Sequence, residues 1–209
     1  MISKKVFFVS LCALGLTGPA IADTQNLLEK ARLSRQVYDE GVAAKDPLVI
    51  IAAAKLRRAV GLAAKDRLPE GGIAYDGSRL GWEQMLATAR ELAVGDDVLL
   101  GIIADVEAEN TKGVLAGPVY NIGKLDGKAE HLYRPIDFAA ADYAAVYVEA
   151  HDSTDLNLFI YDSQNRLVCS DTDASAIAYC GWRPATTGSF AVKVVNAAGL
   201  TTEYSLMTN

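Results

Sequence analysis

The sequence contains little of the residue types that build the commonest catalytic and metal centres. Among 209 residues there are three cysteines and two histidines, His131 and His151. The cysteines form no C-x-x-C pair and have no histidine beside them, which argues against a zinc site or a redox dithiol. No G-x-S-x-G stretch marks a hydrolase nucleophile. Gly117 to Lys124 misses the phosphate-loop spacing by one residue. The sequence therefore has no recognisable catalytic centre.

Positive charge is also scarce. The chain has 20 Lys and Arg against 26 Asp and Glu, a formal net charge of −6. Such a balance gives no electrostatic reason to approach nucleic acid or an anionic lipid surface, so both are excluded as main partners.

Long apolar runs are absent except at the amino terminus. There, Lys4 and Lys5 precede an apolar stretch, and Ala20-Ile21-Ala22 forms a small-x-small cleavage motif. The pattern predicts a signal peptide over residues 1–22, cleaved near Ala22. The alternative, a membrane anchor, is disfavoured because the run is short for about 30 Å of hydrocarbon. We expect a periplasmic or secreted protein whose mature chain has no transmembrane span.

Two cysteines remain after the predicted cleavage, Cys169 and Cys180. An even pair in an oxidising compartment predicts a disulfide that joins the ends of a hairpin or of adjacent strands. In the chain-entropy model, a loop this short contributes about 3 kcal/mol.

Residues 23–112 are predicted to form a helical domain, because apolar residues recur there at helical spacing. Asp46-Pro47 predicts an N-cap followed by proline at the first helical position. The predicted apolar face of that helix is Leu48, Ile51, Ala52, Leu56 and Val60, with Lys55, Arg57 and Arg58 facing water. The predicted apolar faces of the neighbouring helices are Leu27, Ala31, Tyr38 and Val42 in the first, Trp82, Met85, Leu86, Ala89 and Ala93 in the third, and Leu99, Ile102, Ile103 and Val106 in the fourth.

The helical region also contains a weak internal repeat. The segments that begin at Asp46 and Asp96 align fifty residues apart, each preceded by a short apolar pair. Each copy predicts a helix, a tight acidic turn and a second helix, which is an αα-hairpin. Two copies are fewer than a solenoid usually needs, so we expect bundle-like packing of four helices.

Residues 117–209 show two-residue alternation instead. Leu156, Leu158 and Ile160 are predicted to point to one side of a strand, and Asn157, Phe159 and Tyr161 to the other. Seven or eight such runs, separated by turn clusters, predict an antiparallel sandwich. The predicted fold class is therefore α+β in two segregated parts, two αα-hairpins followed by a jelly-roll-like β-sandwich.

Several short motifs, in order, resemble the bacterial pre-peptidase C-terminal domain. They include Tyr133 to Phe138, Asp152 to Asp162, Thr187 to Val194 and Tyr204 to Leu206. The sequence departs from that family at Asn157, where an aspartate is common, and in its cysteine pair. The resemblance implies a jelly-roll-like accessory module that binds matrix, sugar or partner surfaces, and it extends to calcium binding in some members.

Calcium is the one cofactor that the sequence suggests. Its candidate ligands are the loop residues Asp152, Asp155, Asp171 and Asp173, because calcium prefers oxygen ligands from acidic loops. The segment from Asp171 starts like an EF-hand loop but has Ala176 and Trp182 at the sixth and twelfth positions. The competing explanation is that these aspartates favour turns through local hydrogen bonds.

Three aromatic residues, Tyr161, Tyr179 and Trp182, are candidates for a sugar-stacking surface, although sheet aromatics are more often structural. Together these features predict an exported, non-enzymatic binding protein with a protein or glycan partner in the cell envelope. The alternative is a cell-envelope hydrolase that acts on glycan or peptide, with carboxylates gathered between the two halves.

Overall fold

The computed structural model describes residues 25–109 and 117–209, so the predicted signal peptide lies outside the described residues. Four helices come first: α1 (Gln25–Ala44), α2 (Pro47–Arg58), α3 (Trp82–Leu92) and α4 (Asp97–Ala108). The strands are β1 (Ala63–Ala64), β2 (Val119–Leu125), β3 (Glu130–Phe138), β4 (Ala144–Ala150), β5 (Leu156–Tyr161), β6 (Leu167–Asp171), β7 (Ile177–Trp182), β8 (Gly188–Asn196) and β9 (Thr202–Thr208). None of the described helices is long and apolar enough to cross a bilayer.

The two hairpins turn in the same way. The carboxylate of Asp46 accepts hydrogen bonds from two backbone N–H groups of α2, and Asp96 does the same for α4. The residue before each cap has a positive φ, 54° at Lys45 and 86° at Gly95. A left-handed residue ends the preceding helix and an acidic cap begins the next, which satisfies otherwise orphaned backbone groups.

The buried face of α2 differs from the predicted one. Leu48 is 54% exposed and Ala52 is exposed, whereas Arg57 is only 2% exposed. The prediction that Arg57 faces water was therefore wrong. The helix buries Ile50, Ile51, Ala53, Ala54 and Arg57, because it lies between its helical neighbours on one side and the sandwich on the other.

The second half is a two-layer sandwich. One sheet has the strand order β1-β2-β9-β4-β7 and the other β3-β8-β5-β6. All pairs are antiparallel except β1 with β2, which is parallel. Leu156, Leu158 and Ile160 share one face of β5, as predicted, and that face lies in the core between the sheets together with Val192 and Val194 of the neighbouring strand β8. The predicted order of helices followed by a β-sandwich is confirmed.

The helical layer covers the outer face of the five-stranded sheet. Leu28 and Ala31 of α1 share one core with Ala145, Tyr147 and Met207 of the sheet. As a result, every residue of β4 is buried, with alternate side chains in the sandwich core and under the helices. Apart from β1, which the helical half contributes to the five-stranded sheet, the two parts are separate along the chain but packed together in space.

Candidate functional site

The disulfide joins the two sheets. Cys169 lies on β6 and Cys180 on β7, with an S–S distance of 2.08 Å and a Cα–Cα distance of 5.9 Å. The two strands are consecutive in the chain but are edge strands of different sheets. The predicted pair is present, and its role is to close one side of the sandwich.

The three candidate sugar-stacking residues do not share a surface. Trp182 packs against Phe138 and Phe190 at one end of the sandwich core. Tyr179 lies under α1, where the guanidinium of Arg32 sits 5.0 Å from its ring centroid. Tyr161 projects from the outer face of the four-stranded sheet. The three side chains therefore lie in three separate environments and do not form one sugar-stacking surface.

Three of the four candidate calcium ligands, Asp152, Asp171 and Asp173, serve local turns and strand ends. The Asp152 carboxylate accepts hydrogen bonds from the Thr154 N–H and the Thr202 hydroxyl. Asp171 accepts from the Tyr179 N–H, and Asp173 accepts from a serine hydroxyl. The described residues contain no group of three or more metal-ligating side chains. Calcium binding by these aspartates and Asp155 stays a prediction.

The two histidines have separate environments. His131 Nδ1 lies 2.8 Å from the Tyr204 hydroxyl, which is 2.5 Å from the hydroxyl of Tyr133. Burial lowers the pKa of His131 below its ordinary value, although Asp126 acts in the opposite direction. His151, by contrast, is exposed in the loop after β4. The two rings make no hydrogen bond or ring contact with each other.

A groove of about 380 Å³ lies at one end of the outer face of the four-stranded sheet. We call it the outer-sheet groove, and its lining residues are Glu70, Arg134, Pro135, Asp162, Ser163, Asn165, Ser189, Phe190 and Ala191. Proline and alanine give it apolar surface, and hydroxyl, amide and charged groups complete its wall, while the ring of Phe190 lies mostly in the sandwich core. This mixture is typical of small-ligand sites.

An aromatic platform continues the outer-sheet groove along the same face. Tyr161 pairs directly with Ala191, which lines the groove. Phe159 is two residues earlier on the same strand, so its side chain lies on the same face. The ammonium of Lys193 is 5.3 Å from the Phe159 ring centroid and 5.9 Å from that of Tyr161. The alternation of β5 thus places both rings on one accessible sheet face.

The charges near the outer-sheet groove and platform are paired. Arg134 contacts Glu70, Arg166 contacts Asp162, and Lys193 contacts Glu130. The surface therefore carries charged groups of both signs in balance, which favours a neutral polar ligand over an ionic one.

A buried ion pair links the helical layer to the sandwich. Arg57 of α2 makes two parallel hydrogen bonds to the Glu149 carboxylate of β4, at 2.7 and 2.9 Å. The Tyr147 hydroxyl also donates to Glu149, and the Arg57 Nε donates to the Ser34 hydroxyl. Burial acts to raise the pKa of Glu149, but the Arg57 guanidinium outweighs it and holds that pKa below its ordinary value.

A second guanidinium fixes α1 to the strand-end loop. Arg35 donates through Nε to both oxygens of Asp39, at 2.8 and 2.9 Å. Its other nitrogens donate to the backbone carbonyls of Ala150 and Asp152. Sequence reasoning missed Arg35, Arg57 and Glu149 as partners. The available signal was an acidic residue inside an apolar strand, which calls for a buried cation.

No family model and no curated protein matches the sequence. Solved structures do resemble the chain. The pre-peptidase C-terminal domain of a collagenase from Bacillus anthracis is 13% identical, with 43% of this chain and 87% of that chain covered and a TM-score of 0.38. PliG from Aeromonas hydrophila, a periplasmic inhibitor of g-type lysozyme, is 16% identical, with coverages of 49% and 91% and a TM-score of 0.35.

The mitogen derived from Yersinia pseudotuberculosis is 18% identical to this chain, with coverages of 46% and 86% and a TM-score of 0.34. The resemblance to pre-peptidase C-terminal domains is confirmed as a likeness of fold. Ligands and activities do not follow from similarities at this level.

Proposed function

We propose that this protein is an exported, non-enzymatic binding protein and that its ligand is a neutral glycan held in the outer-sheet groove. The observation that carries the proposal is a concave surface with apolar and polar walls that continues onto two half-buried aromatic rings. A sugar ring has the matching chemistry, because it presents hydroxyl groups at its edge and C–H groups on its faces.

The individual contacts fit that ligand. Ser163, Asn165 and Ser189 supply donors and acceptors for hydroxyl groups. Tyr161 and Phe159 offer flat apolar faces on which further sugar units of a chain can lie. The ion pairs around the groove leave little net charge to attract an anion or a cation.

The test is isothermal titration of the purified protein with soluble oligosaccharides of four to six units. Cello-, laminari-, xylo- and chito-oligosaccharides and soluble peptidoglycan fragments form the panel. We expect saturable binding of at least one neutral member. Tyr161→Ala should weaken that binding by about tenfold, because a stacked ring typically contributes on the order of 1 kcal/mol, and Tyr161→Phe should preserve it.

Two results would contradict the glycan proposal. One is the absence of binding across the panel at millimolar sugar. The other is binding that is equally tight in wild type, Tyr161→Ala and Phe159→Ala, with melting temperatures showing that both variants are folded.

The alternative function is a cell-envelope hydrolase. The observation that favours it is a second groove, between the two halves, which Asp39, His151 and Asp152 all line. However, Asp39 is held by Arg35. Burial acts to raise the pKa of Asp152, but hydrogen bonds from Thr154 and Thr202 lower it overall, which suits an ionised group and not a general acid. Release of product from peptidoglycan or casein, abolished by Asp39→Asn or Asp152→Asn, would establish this alternative.

The proposal of export is supported by the disulfide, because such bonds persist in oxidising compartments. Calcium binding has a simple test of its own. If Asp152, Asp155, Asp171 or Asp173 binds calcium in the folded state only, millimolar calcium should raise the melting temperature relative to chelator. An unchanged melting temperature would remove calcium from the proposed function.

A further inference from the structure

A second groove lies where the helical layer meets the end of the sandwich. It has a volume of about 440 Å³, and we call it the junction groove. Its lining residues are Arg35, Tyr38, Asp39, Leu80, Gln84, Thr88, His151, Asp152 and Ser153. It is remote from the outer-sheet groove, with which it shares no residue. It belongs to both halves of the chain, so it forms only when they are docked.

The guanidinium of Arg35 in the junction groove is already paired with acceptors of the protein itself. The Arg35 side chain is 5% exposed, and its nitrogens donate to the Asp39 carboxylate and to two backbone carbonyls. A guanidinium that is buried and saturated with acceptors has little left to offer a ligand. Arg35 therefore shapes the groove and does not attract anions to it.

The groups that remain accessible are mainly hydrogen-bond acceptors. The Asp39 side chain is 50% exposed, and each carboxylate oxygen has two lone pairs, so it can accept from a ligand as well as from Arg35. Asp152 is fixed by Thr154 and Thr202 on one oxygen. Ser153 is exposed at the rim. A ligand that donates several hydrogen bonds and carries positive charge complements this wall.

An aromatic residue, partly packed against the helical core, lines the same groove as these carboxylates. Tyr38 precedes Asp39 on α1, and its hydroxyl is fixed by the Thr88 hydroxyl at 3.1 Å. An aromatic ring next to a carboxylate is a suitable environment for an ammonium or guanidinium group, because the ring face attracts cations and the alkyl stem packs on it. The net charge of −6 also favours the approach of a cation.

An adjoining trough decides between two sources of such a cation. It measures about 300 Å³, shares His151 and Asp152 with the junction groove, and adds Lys124, Thr201, Thr202 and Glu203. The trough thus offers charges of both signs, Lys124 and Glu203. This combination matches a peptide, which carries a carboxylate as well as amino groups, better than it matches a polyamine, whose charges are all positive. We propose that the junction groove binds a lysine or arginine side chain of a peptide, whose backbone follows the trough.

The proposal is tested by titrating the purified protein with the peptides Gly-Lys-Gly, Gly-Arg-Gly and Gly-norleucine-Gly, and with spermidine. We expect the two cationic peptides to bind at least tenfold more tightly than the norleucine peptide. Their affinity should fall several-fold when sodium chloride is raised from 50 to 500 mM, because salt screens exposed charges.

Substitutions in the two grooves test whether the peptides bind in the junction groove. Tyr38→Leu should weaken Gly-Lys-Gly about tenfold, and Tyr38→Phe should leave it nearly unchanged, because a cation–π contact needs only the ring. Tyr161→Ala, on the aromatic platform beside the outer-sheet groove, is the matched control and should not affect the peptides. Thermal melting verifies that each variant is folded.

Three outcomes would overturn the inference: norleucine peptide binding as tight as lysine peptide binding, no heat from either cationic peptide at 10 mM, or an unchanged affinity in Tyr38→Leu. Tighter binding of spermidine than of either cationic peptide would instead assign the groove to a polyamine and refute the peptide. None of these outcomes affects the glycan proposal, whose variants and ligands are different.

Discussion

The two αα-hairpins have the same turn but different surroundings. Hairpin α1–α2 is packed against the sandwich on one side and against α3 on the other, so α2 buries five residues. In α4, which occupies the corresponding place in hairpin α3–α4, only Ile103 and Val106 are buried. Both hairpins therefore start their second helix with the same kind of cap. Which helix positions must be apolar, small or charge-paired depends instead on the elements that pack against the hairpin.

Two pairs of aligned positions show directly how the surroundings change the residue that a position needs. Arg57 is buried against Glu149, whereas Glu107, fifty residues later, makes a largely exposed pair with Arg90. Gly41 faces α2 so closely that a Cβ atom would come within 2.8 Å of Ile50, whereas the aligned residue Glu91 is exposed. Substitutions at these pairs separate the effect of the surroundings from that of the hairpin itself.

The largest difference is expected at the charged pair. Arg57→Met leaves the Glu149 carboxylate buried without its partner and should lower the free energy of unfolding by about 3–5 kcal/mol. Glu107→Met removes an exposed pair and should cost no more than about 1 kcal/mol. Urea denaturation measures both. The double variant Arg57→Met/Glu149→Met should regain much of the loss, and equal effects of the two single changes would refute the comparison.

A pH series sharpens the same contrast. The folded-state pKa of Glu149 lies below its ordinary value of 4.5 because of Arg57, which outweighs the opposing effect of burial. The stability that this ionised carboxylate contributes is full above about pH 4.5 and is lost as the pH falls through the lower folded pKa. The stability difference between wild type and Glu149→Gln should therefore be constant from pH 7 to about 4.5 and shrink below it. A difference that grows on acidification would contradict the assigned direction.

A smaller difference is expected at the glycine. Gly41→Ala should improve helix propensity but force α1 and α2 apart near Ile50 and Val49, for a net loss of about 1–2 kcal/mol. Glu91→Ala, at the aligned exposed position, should change stability by no more than about 0.5 kcal/mol. A stabilising Gly41→Ala would show that the first hairpin can widen without loss.

The smallest difference is expected at the caps. Asp46→Ala and Asp96→Ala should each lower the free energy of unfolding by about 1 kcal/mol, because both carboxylates accept the same two N–H bonds. Asp46→Asn and Asp96→Asn are the matched controls and should cost little. If the losses of unfolding free energy at the two sites differ by more than about 1 kcal/mol, the elements packed around the hairpins also affect the stability of the turns.

The sequence predicted those features that depend on near neighbours. The caps at Asp46 and Asp96 and the alternation of Leu156, Leu158 and Ile160 follow from local rules, and the structure has them. Arg57 was placed in water because its partner Glu149 is 92 residues away. Strand β1 has only two residues and depends on its pairing with β2, so no local sequence pattern predicts it.

The candidate sites show the same limit. Alternation correctly placed Tyr161 on the side opposite Ile160, and it also implies that Tyr179 and Trp182, three residues apart on β7, face opposite sides. The sequence did not indicate that one of those sides is covered by α1. Both grooves combine residues from distant parts of the chain, such as Glu70 with Asp162 and Asp39 with Asp152. Spacing in the sequence cannot reveal such combinations.

The core that α1 shares with the five-stranded sheet has a consequence for the chain as a folding unit. A fragment that begins at residue 117 would present Ala145, Tyr147 and Met207 to water, together with the carboxylate of Glu149. It would also lack the parallel edge strand β1. Such a fragment would tend to associate through that face. The intact chain should instead unfold cooperatively, with one calorimetric transition for helices and sandwich together.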